Sequence, residues 1–345
     1  MSPFVHQSGL LSTLLFTAVA CSTDAADNEG ADDTSTQDSS EETTSDSSID
    51  TEESDSGSTS TIFMRQADCT LPPPPIGEIV THTWNGPHED FTFSTEGKIV
   101  GANGQAFLTY TPFGGPAEVI RPLPDGGLNV KGTRYLPDGS LLIATPNLGA
   151  LTRIFPDGTE EIVGSGMPVP NGIAIHPSGR AYVAAGNGIW RFDSHTGETD
   201  RLIETTQTLD GISFSPDYTQ LFFNTEFRKV WVAPVIDDAG NLGEKFLGPN
   251  LDLPAFDILD GMASDACGNL YVLAMSGTIF RISTDQSVEE IELPNTIPIG
   301  TPALNFGTGV GGFEKDHLYV MDFRGQLHDV DVGIVGKWEP HLPKD

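Results

Sequence analysis

Six stretches of this chain repeat one pattern, and that repetition restricts the fold more than any other feature. They are EDFTFSTEGKIVG from Glu89, KGTRYLPDGSLLIA from Lys131, NGIAIHPSGRAYVA from Asn171, DGISFSPDYTQLFFN from Asp210, DGMASDACGNLYVLA from Asp260 and PALNFGTGVGGFEKDHLYVMD from Pro302. Each reads as a head residue, usually followed by Gly, then alternating apolar positions, a turn and a strong strand. Successive heads lie 42, 40, 39, 50 and 42 residues apart. An all-strand period of about 40–50 residues indicates the blades of a β-propeller. A parallel β-helix would repeat at a much shorter period, and a sandwich would not repeat itself in this way. Six copies predict an all-β, six-bladed propeller over residues 65–345. Further blade strands are visible in GIWRFD (188–193) and KVWVAPV (229–235). IVTHTW (79–84) and GQLHDVDVG (325–333) are expected to close the ring together, hiding edges that would otherwise pair with other chains.

The first strand of each blade lines the channel of a propeller, so the six heads face one axial point. They read Glu89, Lys131, Asn171, Asp210, Asp260 and Pro302. Four of them offer a side-chain oxygen, and three of those four are carboxylates. Three carboxylates on one channel repel one another unless a cation neutralises them. Hard oxygen donors without His or Cys suit Ca²⁺, or another hard divalent cation, far better than zinc or copper. Taken singly, Asn171, Asp210 and Asp260 each precede a Gly and read equally well as Asx-turn residues. Their shared register favours a metal site made of Glu89, Asn171, Asp210 and Asp260. Lys131 reads either as a base or polarising group or as a counter-ion to Asp210 or Glu89.

The chain before the repeats differs in kind. GLLSTLLFTAVA (9–20) is too short for a comfortable transmembrane helix and sits where the apolar core of a signal peptide belongs. It ends at Cys21, and AVAC resembles a bacterial lipobox, although MSPFVHQSG carries no Lys or Arg. Residues 1–20 are read as a signal peptide and Cys21 as a lipidated mature terminus, which implies export to the cell envelope. Residues 21–64 are read as a disordered tether. Ser22 to Thr61 holds 13 acidic residues, no basic ones and a single branched aliphatic, Ile49. Such a segment cannot bury enough apolar surface to offset its ordering entropy. The remaining 36 acidic and 17 basic residues leave the propeller acidic in its own right, which argues against nucleic acid as a partner. With Cys21 set aside, Cys69 and Cys267 form an even pair in an oxidising compartment; they are read either as a disulfide or as two free thiols.

Glu89, Asn171-Gly172, Asp210-Gly211 and Asp260-Gly261-Met262 together resemble the regucalcin/gluconolactonase family and its relatives, the diisopropylfluorophosphatases and paraoxonases. LDGMASDACGNLYVL (259–273) carries the resemblance most closely. The resemblance spans residues 76–335 and implies one Ca²⁺ in the channel of a six-bladed propeller, with hydrolysis of lactones or phosphotriester-like esters. It makes Asp260 or Glu89 the candidate general base, and it places Lys131 where paraoxonase-like relatives carry a His. Two departures stand out. Asp210 replaces a usual Asn, and Val169 replaces an Arg that contacts sugar lactones, which shifts the expected substrate toward a more apolar lactone or ester. The expectation is a monomeric Ca²⁺-dependent lactonase or esterase that meets a membrane only through its anchor. Two rivals remain: a surface-anchored binding or scaffold propeller, and a metal-independent enzyme of the strictosidine-synthase kind. His88 and His176 are weaker candidates for a part in proton transfer.

Overall fold

The computed structural model describes residues 69–84, 86, 89–102, 107–122, 130–225, 228–254, 257–296 and 300–344. The leader, the tether, Cys21 and His88 lie outside them. Among the described residues the chain builds twenty-four strands in six four-stranded antiparallel sheets. β1 (Ile79–Thr83) precedes blade one in the chain and belongs to the last blade. Blade one is β2 (Phe91–Phe93), β3 (Ile99–Ala102), β4 (Phe107–Thr111) and β5 (Glu118–Pro122). Blade two is β6 (Thr133–Tyr135), β7 (Leu141–Thr145), β8 (Ala150–Ile154) and β9 (Glu160–Val163). Blade three is β10 (Ile173–Ile175), β11 (Arg180–Ala185), β12 (Gly188–Asp193) and β13 (Thr199–Glu204). Blade four is β14 (Leu209–Phe214), β15 (Gln220–Thr225), β16 (Lys229–Pro234) and the short β17 (Phe246–Leu247). Blade five is β18 (Leu259–Ser264), β19 (Leu270–Ala274), β20 (Thr278–Ile282) and β21 (Val288–Glu292). Blade six takes β22 (Ala303–Phe306), β23 (His317–Asp322) and β24 (Gln326–Asp331), with β1 as its outer strand.

The six innermost strands contact one another in a closed circuit, β2 to β6, β10, β14, β18, β22 and back to β2. This is the six-bladed propeller that the repeats predict. β1 pairs with β24 in the register Ile79↔Val330 to Thr83↔Gln326, so the two ends of the ring are fastened by one sheet. Second strands such as β7 and β19 are buried along their whole length because a neighbouring sheet covers each face. That double coverage explains why they read as continuous apolar runs rather than alternating ones. The core is correspondingly inter-blade: Tyr182 of blade three packs edge-on against Phe214 of blade four at 5.1 Å between ring centroids. Full burial of a side chain such as Phe214 contributes about 2–3 kcal/mol.

The heads mark one end of the channel. At the other end the polypeptide after β24 crosses beneath the ring as a strap. Val335 O accepts from Ala266 N at 2.8 Å, and Lys337 N donates to Ser264 O at 3.0 Å, both in blade five. Tyr218 of blade four donates its hydroxyl to Trp338 O. His341 Nε2 sits 2.8 Å from Phe93 O of blade one, and its ring lies over Tyr135 of blade two. Cys69 and Cys267 form a disulfide at this same end, in the turn between β18 and β19. His176 also lies here, in the turn after β10, with Nδ1 on Ser178 Oγ at 2.8 Å. It is therefore remote from the heads. The Gly-rich stretch 307–312 joins β22 to β23 at the strap end.

Candidate functional site

The heads are set by interactions between blades, beginning with glycine. A Cβ on Gly132 would stand 2.3 Å from Asn171 O, one on Gly172 2.3 Å from Asp210 O, and one on Gly211 2.1 Å from Asp260 O. Each of these three head glycines thus makes room for the carbonyl of the next head, whereas a Cβ on Gly261 would stand 3.1 Å from Pro302 O. For these three it is the close backbone approach that only glycine permits, and it replaces the Asx-turn explanation for the Asn-Gly and Asp-Gly pairs among them. Gly132 N also donates to Asn171 O at 3.1 Å, and Gly261 N to Pro302 O at 3.1 Å. Asp210-Gly211 and Asp260-Gly261 both lie where the strand register shifts between inner and second strands. Such bulges re-aim a side chain out of the pleat.

Asn224, fully buried on β15, clasps two heads. Its Oδ1 accepts from Gly211 N at 2.9 Å and its Nδ2 donates to Asp260 O at 2.7 Å. Blade one departs from the glycine pattern because Asp90 follows Glu89. The Asp90 carboxylate reaches blade two directly, accepting from Thr133 N at 2.9 Å and from Arg134 Nη1 at 2.8 Å. Arg134 Nη1 also donates to Phe91 O at 2.9 Å and Thr133 O at 2.7 Å. Burial pushes the Asp90 carboxyl above its ordinary value although Arg134 and the two backbone amides pull it down. The Asp90–Arg134 pair spans blades one and two just inside the heads, and Arg134 borders the channel on both sides of it.

Above that pair Glu89, Asn171, Asp210 and Asp260 line one cavity of about 380 Å³, counting space open to solvent. Lys131 donates to Glu89 Oε1 and Asn171 Nδ2 donates to Asp210 Oδ1. Burial lowers Lys131, but Glu89, with Asp210 and Asp260 behind it, outweighs burial and the net shift is upward. Lys131 is therefore an ammonium in this arrangement. Asp260 is held well above the usual carboxylate range by burial first, then by the negative charges of Asp210 and Glu89, with Lys131 opposing. Asp210 and Asp260 face each other, and their mutual repulsion adds to that upward shift. Among the described residues no three His, Cys, Asp or Glu side chains close into a metal cluster. Two of the three acidic heads face each other, and the third is turned to Lys131.

The four oxygen-bearing heads nevertheless fit a hard divalent cation. Three carboxylates and one ammonium sum to a charge of −2, which a divalent cation would balance. Asn171 presents its nitrogen to Asp210, and the opposite amide orientation turns its oxygen inward. Asn224, Asp90 and Arg134 are the site residues that sequence reasoning missed. An Asn within a strand and an Asp–Arg pair 44 residues apart across two blades carry no local motif.

Residues 181–321 match the family model for the SMP-30/Gluconolactonase/LRE-like region. No curated protein matches the chain in sequence. Solved structures with the same fold include a gluconolactonase from Xanthomonas campestris, 16% identical, covering 74% of this chain and 90% of its own, with a TM-score of 0.60. The calcium-binding protein regucalcin from Agrobacterium tumefaciens is 20% identical and covers 75% of this chain and 94% of its own, with a TM-score of 0.59. Virginiamycin B lyase from Staphylococcus aureus is 16% identical and covers 74% and 99%, with a TM-score of 0.55. At these identities the likeness to solved structures is one of fold.

Proposed function

With residues 181–321 forming an SMP-30/gluconolactonase/LRE-like region, we propose that this protein hydrolyses lactones or esters with a divalent cation, calcium first, held by Glu89, Asn171, Asp210 and Asp260. The carrying observation is that these four oxygen-bearing heads, drawn from four blades, line one cavity at the mouth of the channel. A gluconolactonase and a calcium-binding protein among the proteins of like fold support the reading. Calcium bound there supplies an electrophile for a carbonyl oxygen and offsets the charge that develops on it. The chain's own residues do the rest. Asp260, as a carboxylate, accepts a proton from water as general base, and Glu89 is the second carboxylate able to do so. Lys131 holds Glu89 and keeps the ring at −2 rather than −3. Asp90 and Arg134 complete the lining of the cavity on its channel side.

The test is hydrolysis of a panel of lactones, carboxylic esters and phosphotriesters by the whole protein, before and after chelation and re-addition of Ca²⁺. Turnover is expected for at least one lactone or ester, lost on chelation, restored by Ca²⁺ and absent in Asp260→Ala. Activity that survives both chelation and Asp260→Ala would sink the proposal. A second reading is favoured by the Lys131–Glu89 contact, which partly neutralises the ring without a metal: a propeller that binds without catalysis. Normal folding with no turnover across the panel would support it.

We also place the protein in the cell envelope as a monomer, anchored through Cys21. The support is the apolar run ending at Cys21 and the Cys69–Cys267 disulfide, which suits an oxidising compartment. Fatty-acid labelling that persists in Cys21→Ser would refute the anchor.

A further inference from the structure

Val169 is a β-branched residue at φ +45°, and its side chain is 54% exposed. A β-branched residue in the left-handed region is a true outlier, and such strain persists only where the surroundings over-determine it. Here they do. Pro168 and Pro170 flank Val169, Met167 N donates to Gly149 O at 3.0 Å, and Gly186 N donates to Pro168 O at 2.7 Å. Gly186 belongs to the turn between β11 and β12, beside the head Asn171, which bonds Ala184 O through its amide at 2.8 Å. Val169 is thus fixed at the rim of the mouth, its apolar side chain turned to solvent at a backbone cost that Asn or Gly would not incur.

A second exposed apolar side chain stands at the same end. Phe323, 38% exposed, occupies the turn between β23 and β24, and its amide donates to Gly300 O at 2.8 Å, two residues before the head Pro302. Val169 belongs to the rim of blade three and Phe323 to that of blade six, which face each other across a six-membered ring. The other large exposed apolar residues among those described lie on outer strands, in the entry segment or at the strap end. Among the described residues the mouth therefore combines a polar floor of charged heads with apolar side chains on two opposed sides.

We propose that Val169 and Phe323 form a specificity lip that selects lactones or esters bearing an aliphatic or aryl substituent over polyhydroxylated ones. The inference rests on the hydrolase reading above and names its substrate class. A hydroxyl laid on Val169 or Phe323 would lose water without gaining a partner, whereas a methylene laid there is removed from water. Full burial of one methylene corresponds to about a fourfold gain, so a half-exposed lip should give about twofold per methylene.

The experiment uses the whole protein, a series of γ- and δ-lactones with lengthening alkyl chains, gluconolactone, and alkyl lactams as non-hydrolysed analogues. For the wild type kcat/KM is expected to rise about twofold per methylene over the first few, and gluconolactone to fall below the longer members. Val169→Asn suits the left-handed backbone, so it should fold with an equal or higher Tm, yet it should flatten the chain-length dependence. Phe323→Ser should flatten it as well. A slope unchanged in both variants, or gluconolactone as the preferred substrate, would overturn the lip. If no lactone is cleaved, the hydrolase reading fails, and calorimetric binding of the lactams decides the lip separately. Affinity rising with chain length and falling in Val169→Asn supports it; affinity indifferent to both refutes it.

Discussion

Gly211→Ala tests whether the heads are held by the contacts between blades. The added Cβ would stand 2.1 Å from Asp260 O and 2.8 Å from Asn224 Nδ2. Real Cβ contacts essentially never fall below 3.0 Å, so the head of blade five must retreat by about 0.9 Å or the bulge at Asp210 must open. Neither neighbour yields easily, since one is backbone and the other is the buried Asn224, bonded to both heads. The unfolded chain loses entropy on Gly→Ala, which alone would stabilise by about 0.4–1 kcal/mol. Overpacking of a fixed interior costs about 1–3 kcal/mol and sometimes more. The net expectation is a loss of about 1–2 kcal/mol, read from urea unfolding of the whole protein. Calcium binding measured by calorimetry should weaken as well, because Asp210 and Asp260 are the heads that move. Gly248→Ala is the control: its Cβ would meet Val230 O at 3.2 Å, and its effect should stay within about 1 kcal/mol. A Gly211→Ala protein as stable as the control would refute the claim that the glycine exists to admit the next carbonyl.

Lys131→Met removes the only cationic head and leaves Glu89, Asp210 and Asp260 facing one another. Calcium affinity should rise by roughly tenfold while the metal-free protein loses stability; unchanged affinity would remove Lys131 from the charge balance. Acid sensitivity should come in part from the strap. Burial lowers the His341 ring below its ordinary 6.5, although Glu339 and the Phe93 carbonyl oppose it. The unfolded state then binds more protons than the folded one below about pH 6.5, so stability is full above that value and falls as the pH drops through the folded pKa. His341 accounts for at most about 1.4 kcal/mol per pH unit. His341→Gln should flatten the stability curve between pH 6.5 and 5, and an unaltered slope would exclude the ring as a contributor.

Much of the fold was legible because a propeller writes its geometry in repetition. Six heads at a steady period already imply a closed circle of inner strands, and the pairing of 79–84 with 325–333 follows from the need to hide the last edges. The candidate ring was legible for the same reason, since register across blades places Glu89, Asn171, Asp210 and Asp260 together before any distance is known. What escaped depends on contacts between non-repeating parts. Asn224 reads as an ordinary strand residue until two heads are seen to bond to it. Asp90 looks like a missing glycine, yet its carboxylate bridges to the next blade. The strap has no periodicity at all, and its course is dictated by Ser264, Tyr218 and Phe93, which belong to three different blades. The purpose of the head glycines was also hidden, because a turn and a close approach require the same residue.

Cys69 is joined to Cys267 at the strap end, and β1 then carries the chain up the outside of blade six toward the heads. The Cys69–Cys267 bridge therefore lies on the face opposite the mouth. Held to a bead, a biosensor chip or a bilayer by a grip on the face that carries this bridge, the propeller would stand with its acidic mouth outward and its strap toward the support. Substrate capture by such a tethered molecule should be as unobstructed as in free solution, whereas a C-terminal fusion would begin at the strap itself and burden the segment that stoppers the channel.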